Sequence, residues 1–556
     1  MNQIGNLLNQ YSEGDELEIR VGYYKKFRFT PSISKWVFNK LIRMYTNAPE
    51  YCMRRVGMEI YYLPDGVRQR IYDDGTVEAI RKERKDIVNL HKEGIRIALS
   101  SEKEARQVKE LPEKILDRIR YTFIHQSGLF KLDISRDEQQ ATGRIEYQYE
   151  AEFIRKPSYN EVMGLLNFLK NQVATFRHEH FVIQQLNGYF SREIGRRRLD
   201  RNSPFVPFIK PISIKRYNIP FLHEYVVLNK MDGIGYILFF SKAGAYYINN
   251  TDISSYLKVS PPELTGSILL GEYMPKYKSF SAFDTLFFRN RDVRSENLLT
   301  RYSYLDSVSR VLKHPSFIVK KIFYKSNLEK NITEAFKYAD KKFDKDDTDG
   351  VVFSPLNKPY YSKLHYKWKP IELSTIDFVP VRTSNNEYML YVYGPGPDKP
   401  LLLFQGSKTF PFSGRTSLSR REIAEVTDKD RLDPSTVVEF QFKNGKFVPY
   451  RLRSDKITPN FIKVAESIWD DINNPIAKDE LIELSKSVID PTEDVSKVVE
   501  KVCDYLKVSR DPEIFSRLTQ YIENPIVTDL YRSVSYLGNR KNMGNELVNI
   551  LYKYFF

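Results

Sequence analysis

Residues 225–236 read YVVLNKMDGIGY, an apolar run that predicts a strand and ends in a lysine, one spacer residue and Asp-Gly. Lys and Asp are among the residues least often buried without a partner, so the simplest interpretation is a surface hairpin with an Asp-Gly turn. The alternative is a nucleophilic lysine at the end of a buried strand. The four letters cannot separate these, since a Lys-x-Asp-Gly match arises by chance in about one chain of this length in ten.

Length and composition restrict the class of protein. At 556 residues the chain is too long for one compact core and predicts roughly three to five domains. Its 41% hydrophobic and 28% charged residues are typical of a folded globular protein. The 86 Lys and Arg exceed the 71 Asp and Glu, giving a net charge of +15. That excess favours polyanionic partners such as nucleic acid or nucleotides.

The two cysteines and the hydropathy pattern predict the compartment. Cys52 and Cys503 are too few for a disulfide framework or a cysteine zinc site. No apolar run approaches the length that spans a bilayer, and the polar, acidic start MNQIGNLLNQYSEGDE is unlike a secretory signal. We therefore expect a soluble cytoplasmic protein with no membrane partner.

The pattern changes along the chain predict a multidomain α+β protein. Short strands with alternating charges come first, then a helix from residue 159 and an Arg- and Pro-rich linker at 191–211. Strands alternating with helices follow, then a strand-rich stretch with a hairpin at 387–406 and finally helices. The predicted domains are 1–205, an α+β domain at 206–372, a small β-barrel at 373–460 and a helical region at 461–556.

Five further stretches follow Lys230 in an order that makes chemical sense together. An apolar strand delivers Glu272, and Asp349-Gly350 precedes another apolar strand. Lys367 and Lys369 share one face of a strand because side chains at i and i+2 point the same way. The stretches are LLGEYMP (269–275), FSAFDTLFF (280–288), DTDGVVFSP (347–355), LHYKWKP (364–370) and YRLRSDKITPN (450–460).

This ordered set resembles the covalent nucleotidyltransferases, the superfamily of mRNA guanylyltransferases and polynucleotide ligases, over residues 211–469. KWKP and RxRxDKxxPN are similar to the capping branch, and the resemblance implies an OB-fold for 373–460. A free lysine has a pKa near 10.4, and we expect cationic neighbours to lower the pKa of Lys230 so that it can attack GTP. The resemblance implies a catalytic set of Lys230 (the GMP carrier), Asp232, Lys367, Lys369, Arg453, Asp455 and Lys456. It implies a GTP-binding set of Gly233, Glu272, Phe283, Asp349 and Val352.

Some of these roles remain open on sequence grounds. Glu272 and Asp349 are expected to bind either a divalent metal or the sugar. Phe283 and Val352 are candidates to sandwich the purine, and core packing explains each of them equally well. Many relatives carry Arg at the position of Gly235, so the ribose contact of that Arg has no counterpart here.

Two glutamate-rich strands lie near the start. DELEIRVG places Glu16, Glu18 and Arg20 on one face, and RIEYQYEAEF does the same for Glu150 and Glu152. Each alone fits a half-solvated sheet, but the basic strands between them predict a closed barrel lined with charge. This resembles the tunnel-fold, metal-dependent RNA triphosphatases. The resemblance implies Mg²⁺ or Mn²⁺ on Glu16, Glu18, Glu150 and Glu152, and phosphate on Arg68, Arg70, Arg84, Arg120, Lys131 and Asp133.

A triphosphatase followed by a guanylyltransferase is the order of the capping enzymes of large cytoplasmic DNA viruses, of the poxvirus and African swine fever virus types, and of yeast linear plasmids. The resemblance implies action on 5′-triphosphate RNA and GTP, an RNA polymerase and a cap methyltransferase as partners, and a viral factory or virion as the location. The end of the chain resembles the approach to a methyltransferase domain. The alternatives are an ATP-dependent ligase, a polyphosphate or nucleoside triphosphatase, and a non-catalytic RNA-binding subunit.

Overall fold

The computed structural model describes residues 2–63, 66–106, 111–197, 199–344, 347–362, 365–384, 386–395, 400–427, 436–453, 456 and 458–488. Their contacts divide the chain into two compact units. The first holds residues 1–207 and 243–258, and the second holds 208–242 and the residues from 259 onward. Each unit carries its own candidate site.

An eight-stranded closed barrel forms the centre of the first unit, in the order β1-β10-β9-β8-β4-β5-β6-β7. β2 and β3 form a separate hairpin. The strands are β1 (Asp15–Val21), β2 (Tyr23–Lys25), β3 (Arg28–Thr30), β4 (Tyr51–Tyr62), β5 (Val67–Tyr72), β6 (Val77–Leu90), β7 (Ile95–Glu104), β8 (Lys114–His125), β9 (Phe130–Gln139) and β10 (Arg144–Phe153).

The alternating sequence of β1 decides which face looks into the barrel. Leu17 and Ile19 are fully buried, whereas Glu16 on the opposite face meets Lys82 of β6 with β7 lying between the two strands. Glu18 and Arg20 of the same face pair with Lys82 of β6 and with Glu150 of β10, so charged side chains of three strands converge, as they do inside a closed barrel. The predicted closed barrel lined with charge is therefore confirmed.

Four helices accompany the barrel: α1 (Asn2–Asn9), α2 (Lys35–Thr46), α3 (Tyr159–Tyr189) and α4 (Ser191–Arg197). A capping box of Ser158 and Glu161 starts α3, because each side chain satisfies a backbone N–H that the first helical turn leaves free. The helix predicted from residue 159 is confirmed. The predicted linker is wrong at its start, since 191–197 is helical and buries Ile194.

The second unit opens with two sheets that face each other through the site described below. One has the order β11-β22-β21-β12-β20, and the other contains β13, β16, β17 and β18 with β19 beside β17. The hairpin of β14 and β15 belongs to the first unit. The strands are β11 (Ile212–Ser213), β12 (Tyr225–Met231), β13 (Ile234–Ser241), β14 (Gly244–Ile248), β15 (Ile253–Leu257), β16 (Ile268–Met274), β17 (Ser279–Phe288), β18 (Arg291–Asp292), β19 (Phe317–Val319), β20 (Ile322–Phe323), β21 (Thr348–Pro355) and β22 (Tyr366–Trp368).

Two predicted helices of this unit are confirmed as α5 (Leu298–Leu312) and α6 (Leu328–Lys342). Asn297 and Asn327 cap them by accepting from the backbone N–H three residues on, which is the usual role of Asn at an N-cap. The apolar face of α6 packs on β12 and β21 around Val227 and Phe353. This packing fixes the strand that ends at Lys230.

The third sheet of the second unit has the order β25-β24-β23-β27-β28, with β26 beside β24. Its core is aromatic, with Phe378, Phe404, Phe440, Phe447 and Trp469 packed together. The predicted hairpin at 387–406 is confirmed by the pairing of β24 with β25. The strands are β23 (Thr375–Ser384), β24 (Glu387–Tyr393), β25 (Leu401–Leu403), β26 (Arg415–Ser417), β27 (Val438–Lys443) and β28 (Lys446–Leu452). The OB-fold assignment and the predicted domain borders stay predictions.

The remaining described helices are α7 (Arg420–Thr427), α8 (Ile462–Asn473) and α9 (Lys478–Leu484). α8 confirms the first helix predicted after residue 460, whereas the helix predicted over 495–508 lies outside the described residues. None of the helices in the described ranges combines the length and the apolar character that crossing a bilayer requires.

Candidate active sites

The lysine of the opening motif lies at the end of β12, in the second unit. Lys230 Nζ lies 2.5 Å from Asp349 Oδ1 on the neighbouring strand β21. A register shift separates Asn229 from Met231, while the buried Asn229 side chain donates to the Ala335 carbonyl on the opposite face. The surface-hairpin interpretation is therefore wrong: β12 is a buried central strand that presents one charged side chain.

The two lysines of KWKP enter the same site from β22. Lys367 is the register partner of Val352 on β21. Burial, then the charges of Lys369 and Lys230, lower the pKa of Lys367 to about 8. Burial also lowers the pKa of Lys369, whose Nζ donates to the Leu373 carbonyl at 2.6 Å. Lys230, Lys367 and Lys369 therefore lie near one another, as predicted. The lowered pKa is found at Lys367 and Lys369.

Trp368, the residue between the two lysines, holds them in place. Its side chain points away from them and packs edge-on against Phe336, with ring centroids 5.5 Å apart. Its Nε1 donates to the Ile476 carbonyl at 2.8 Å. Because successive residues of a strand face opposite ways, this anchor turns Lys367 and Lys369 towards Lys230.

The second sheet contributes an ion pair and an aromatic ring. Glu272 Oε2 on β16 lies 2.8 Å from Lys320 Nζ, and that ammonium lies 5.4 Å from the centroid of the Phe283 ring. Phe283 and Val352 pack against one apolar cluster. The structure thus brings together three predicted residues, Glu272, Phe283 and Val352. Lys320 escaped the sequence analysis because no pattern marks a lysine that folding buries.

Two glycines of the motifs are required by close approach. A Cβ at Gly233 would lie 2.7 Å from Met274 Sδ and 2.9 Å from Glu272 Cβ. Gly350 has φ +134°, and a Cβ there would lie 2.0 Å from the Trp368 carbonyl oxygen. Both contacts are shorter than atoms tolerate, so the Asp-Gly pairs let the strands approach. Asp232, the third motif residue, is exposed beside Gly233.

The last motif lies on the third sheet among acidic partners. Arg453 pairs with Asp377 at 3.1 Å and with Glu439 at 3.5 Å, and Lys456 also pairs with Asp377. Arg451 pairs with Glu439 and is close enough to Asp232 for that carboxylate to help raise its pKa. Asp455 lies outside the described residues. Asp377 and Glu439 were not predicted, since nothing in their local sequence distinguishes them.

The glutamates of the first unit share the barrel interior. Glu18 is the register partner of Glu152, and Arg20 is the partner of Glu150. Glu16 and Glu18 pair with Lys82 at 2.5 and 3.5 Å. The predicted glutamate strands are therefore adjacent to each other, with cations drawn in between their carboxylates.

The environment shifts the pKa values of Glu150 and Glu152 on β10 in opposite directions. Burial raises the pKa of Glu152 to about 7 against the opposing effect of Lys131, with the charge of Glu16 adding to the rise. Burial acts in the same direction on Glu150, but Arg20, Arg118 and Arg120 hold its pKa below the ordinary value. Glu150 therefore has three arginines around it, whereas Glu152 has one lysine.

The arrangement of these carboxylates shows whether they could hold a metal ion. No three acidic, histidine or cysteine side chains in the described ranges converge closely enough to hold a metal ion in this arrangement. Carboxylate oxygens are nevertheless the ligands that Mg²⁺ and Mn²⁺ prefer. The negative charges of Glu16 and Glu152 repel each other. The oxygen donors are of the type that a divalent cation binds, but in this arrangement they do not converge on one, and a cation would have to replace the lysine contacts of Glu16 and Glu152.

The predicted phosphate-binding residues all lie on the inward-facing positions of the barrel. Lys131 pairs with Glu152 at 3.1 Å and Arg120 with Asp133 at 3.6 Å. Arg70 pairs with Glu102 at 3.6 Å. Arg68 stacks over Tyr62 with Cζ 5.4 Å from the ring centroid, and Arg84 is exposed.

Three barrel residues escaped the predicted site: Lys82, Glu102 and Arg118. Arg118 forms two hydrogen bonds to Asp137, at 2.7 and 2.6 Å. The alternation of side chains along a strand could have identified them. Arg118 lies two residues before Arg120 and so shares its face, and Glu102 is the register partner of Lys82. Only the register of the closed barrel turns that signal into a contact.

Comparisons with known proteins find similarity to mRNA-capping enzymes. Residues 373–482 match the family model described as mRNA capping enzyme, C-terminal domain. A probable mRNA-capping enzyme of Acanthamoeba polyphaga mimivirus is 24% identical over 374 residues, 49% of this chain. The mRNA-capping enzymes of mouse and of African swine fever virus are 27% and 29% identical over 177 and 192 residues. The chain is therefore similar to mRNA-capping enzymes over parts of its length.

The match to these family members is partial. The aligned regions span 32%, 26% and 21% of the lengths of the mimivirus, mouse and African swine fever virus proteins. Among solved structures, an S. pombe RNA triphosphatase overlaps 33% of this chain and 89% of its own, with a TM-score of 0.25 and 15% identity. The mimivirus RNA triphosphatase domain overlaps 31% and 96%, also with a TM-score of 0.25 and 15% identity.

Proposed function

We propose that this chain removes the γ-phosphate from triphosphate-ended RNA in its first unit and transfers GMP from GTP to the diphosphate end in its second. One observation supports this most directly. Lys230 lies at the end of a buried strand, 2.5 Å from Asp349, with the buried cations Lys367 and Lys369 beside it. A nucleophile, a carboxylate and two phosphate-binding cations are the groups that nucleotidyl transfer requires.

The guanylyl step follows from this arrangement. Lys230 gives up one proton to solvent, and its amine nitrogen attacks the α-phosphorus of GTP. An N–P bond forms, the α–β phosphoanhydride breaks and pyrophosphate leaves. Lys367 and Lys369 hold the α-phosphate, while Arg453 and Lys456 release Asp377 to bind the departing pyrophosphate. A β-phosphate oxygen of the RNA end then attacks the same phosphorus, and Lys230 leaves as the amine. Positioning and charge neutralisation supply most of the catalysis.

The hydrolytic step uses the barrel. Glu16, Glu18, Glu150 and Glu152 would hold Mg²⁺ or Mn²⁺, which when bound supplies charge at the γ-phosphate and activates water. Arg120 and Lys131 bind the phosphate chain by charge-assisted hydrogen bonds. In the second unit Asp349 and Glu272 are the candidate ligands for a divalent cation that accompanies GTP.

Partners and location belong to the same proposal. The net charge of +15 suits an RNA substrate. An RNA polymerase that delivers nascent RNA and a cap methyltransferase that follows would complete the pathway. The cytoplasm, as a viral factory or a virion, is the compartment in which such a chain acts.

One experiment tests nucleotide, covalency and reaction class together. The protein is incubated with α-labelled GTP or α-labelled ATP and a divalent cation, then denatured and separated on a gel. A label retained from GTP and absent in Lys230→Arg supports capping. A label retained only from ATP supports a polynucleotide ligase, and no retained label contradicts both.

A second candidate activity for the first unit is hydrolysis of inorganic polyphosphate or free nucleoside triphosphates. Four basic side chains of the barrel would bind a phosphate chain of any origin, which supports this candidate: Arg68, Arg70, Arg120 and Lys131. Release of γ-phosphate from triphosphate-ended RNA, compared with inorganic tripolyphosphate and GTP at equal concentration, decides which substrate is preferred.

A further inference from the structure

An aromatic ring that belongs to none of the predicted motifs lies against the motif that carries Lys230. Phe208 is half-buried, and a Cβ atom placed on Gly235 would lie 3.5 and 3.6 Å from two atoms of its ring. No atom of another residue lies closer to that Cβ position. The ring therefore occupies the space into which a longer side chain at position 235 would extend.

The Phe208 ring also borders the group that surrounds Phe283. The centroids of the two rings are 6.4 Å apart and their planes are inclined by 42°, so they are not stacked on each other. Gly235 is the register partner of Glu272, and Glu272 holds Lys320 beside the ring of Phe283. One cluster thus combines two aromatic rings with a buried ion pair.

The segment that carries Phe208 is anchored on the opposite sheet. The backbone of the next residue, Ile209, hydrogen-bonds to the Tyr360 hydroxyl. Ile212 and Ser213 then form β11, which pairs in parallel with β22. The Ile214 N–H donates to the Lys367 carbonyl at 2.9 Å. The segment therefore runs from the strand that bears Lys367 to the sheet that bears Gly235, and it fixes the ring between them.

The two rings could hold a planar ligand after a small rearrangement. A base held between two rings needs about 7 Å between their centroids, twice the optimal separation of carbon atoms in contact. The observed 6.4 Å is shorter than this by about 0.6 Å and the rings are inclined by 42°, so a base can enter between them only after the half-buried Phe208 side chain rotates. Aromatic and apolar walls with a few fixed polar groups are the usual composition of a nucleoside site.

We infer that Phe208 contacts the nucleoside of the bound nucleotide, and that Gly235 is small because this ring needs the space. The inference rests on the proposed guanylyl transfer and adds a residue that determines how the donor nucleotide is held. Phe208 binds the nucleoside by apolar contact, whereas Lys367 and Lys369 bind its phosphates. Removing the ring should weaken nucleotide binding without removing the nucleophile.

The first experiment measures Lys230–GMP formation against GTP concentration in the full chain. Stacking contacts between a base and an aromatic side chain are worth about 1–3 kcal/mol by alanine substitution. Phe208→Ala should therefore raise the half-saturating GTP concentration by about 5- to 150-fold, with less change in the rate at saturation. Phe208→Tyr should keep most of the affinity. Ile212→Ala is the matched control, since this residue of the same segment is 49% exposed and should leave the GTP dependence unchanged.

The second experiment tests the shared space. Gly235→Leu should impair adduct formation because its side chain collides with the ring, and Phe208→Ala added to it should restore part of the loss. Such coupling between two residues appears as a departure from additivity. A double variant no better than the sum of the two single effects would overturn the inference.

The outcomes separate this inference from the proposed function. If the wild-type protein forms no GMP adduct, the proposed guanylyl transfer itself fails. If the wild type forms the adduct and Phe208→Ala has the same GTP dependence, the role of Phe208 fails and the transfer stands. Phosphate release by the first unit reports that each variant is intact elsewhere. A Phe208→Ala protein that loses rate at saturation while keeping GTP affinity also contradicts the inference.

Discussion

Lys230 Nζ is held 2.5 Å from Asp349 Oδ1, so the proposed nucleophile is paired with a carboxylate of the adjacent strand. The pair fixes the amine at the place where the motifs converge. It also means that the ammonium must exchange this partner for the α-phosphate before a bond can form.

The first prediction concerns this lysine. Lys230→Arg keeps a positive charge beside Asp349 but removes the nucleophilic amine, so the GMP adduct should disappear while the fold is retained. Release of γ-phosphate from triphosphate-ended RNA should stay within about two-fold of the wild type. Gel analysis of labelled protein and a phosphate assay on the same preparation measure both. Loss of both activities in a folded variant contradicts the assignment of separate sites.

The second prediction is the reverse separation. Glu18→Gln keeps the size of a barrel glutamate and removes its charge, so metal-dependent γ-phosphate release should fall by about 100-fold or more. Formation of the GMP adduct should persist. A Glu83→Gln control on β6, where Glu83 is exposed and pairs with Lys103, should change neither activity.

The third prediction concerns pH. Because burial and the charges of Lys369 and Lys230 lower the pKa of Lys367 to about 8, this lysine loses its charge as the pH rises through about 8. GTP affinity should weaken as the pH rises through about 8. Lys367→Arg keeps its charge at these pH values and should show a flatter profile. Titrations of GTP from about pH 7 to pH 9.5 compare the two proteins.

The same shift predicts a change in stability with a definite sign. Lys367 has a lower pKa in the folded state than its ordinary value of 10.5, so protonation favours the unfolded chain. The resulting penalty is complete below about pH 8 and fades as the pH rises towards 10.5. Lys367→Met should therefore be stabilising relative to wild type below pH 8, with a difference that shrinks at higher pH. Thermal unfolding at several pH values measures this, and a difference that grows with pH would contradict it.

The fourth prediction concerns the buried ion pair of Asp284, the residue that follows Phe283 in β17. Arg301 is 1% exposed and binds Asp284 through two hydrogen bonds, at 2.8 and 3.0 Å. Arg301→Met leaves Asp284 buried without its partner and should lower the free energy of unfolding by about 3–5 kcal/mol. The control is Arg310→Met, at an exposed position on the same helix, which should change it by less than about 0.5 kcal/mol. Urea unfolding of the three proteins gives the comparison.

The fifth prediction concerns the divalent cation of the barrel. Negative charge around Glu16 and Glu152 should be relieved when a cation binds, so Mg²⁺ or Mn²⁺ should raise the unfolding temperature of the first unit. Glu16→Gln combined with Glu152→Gln should remove this response. Thermal unfolding with and without a chelator tests the point without any activity measurement, and an equal response in the variant would exclude these carboxylates as ligands.

Sequence reasoning succeeded where local spacing carries the information. The alternation in β1 predicted its inward and outward faces, and the order of motifs after Lys230 predicted residues that the fold brings into one site. It failed where burial and long-range pairing decide. Lys320 was missed because its 8% exposure depends on the approach of β16 and β17, and Phe208 was missed because its partners are distant in the chain.

The sequence by itself determined the types of side chain available and their periodicity: two glutamate strands, one lysine in a Lys-x-Asp-Gly motif, and two lysines on a common face. Tertiary structure alone decided that β1 lies beside β10, that Asp349 pairs with Lys230, and that Phe208 covers Gly235. The physical reason is that strand order and register depend on packing between residues far apart in sequence. Periodicity within a strand depends only on the geometry of its own backbone.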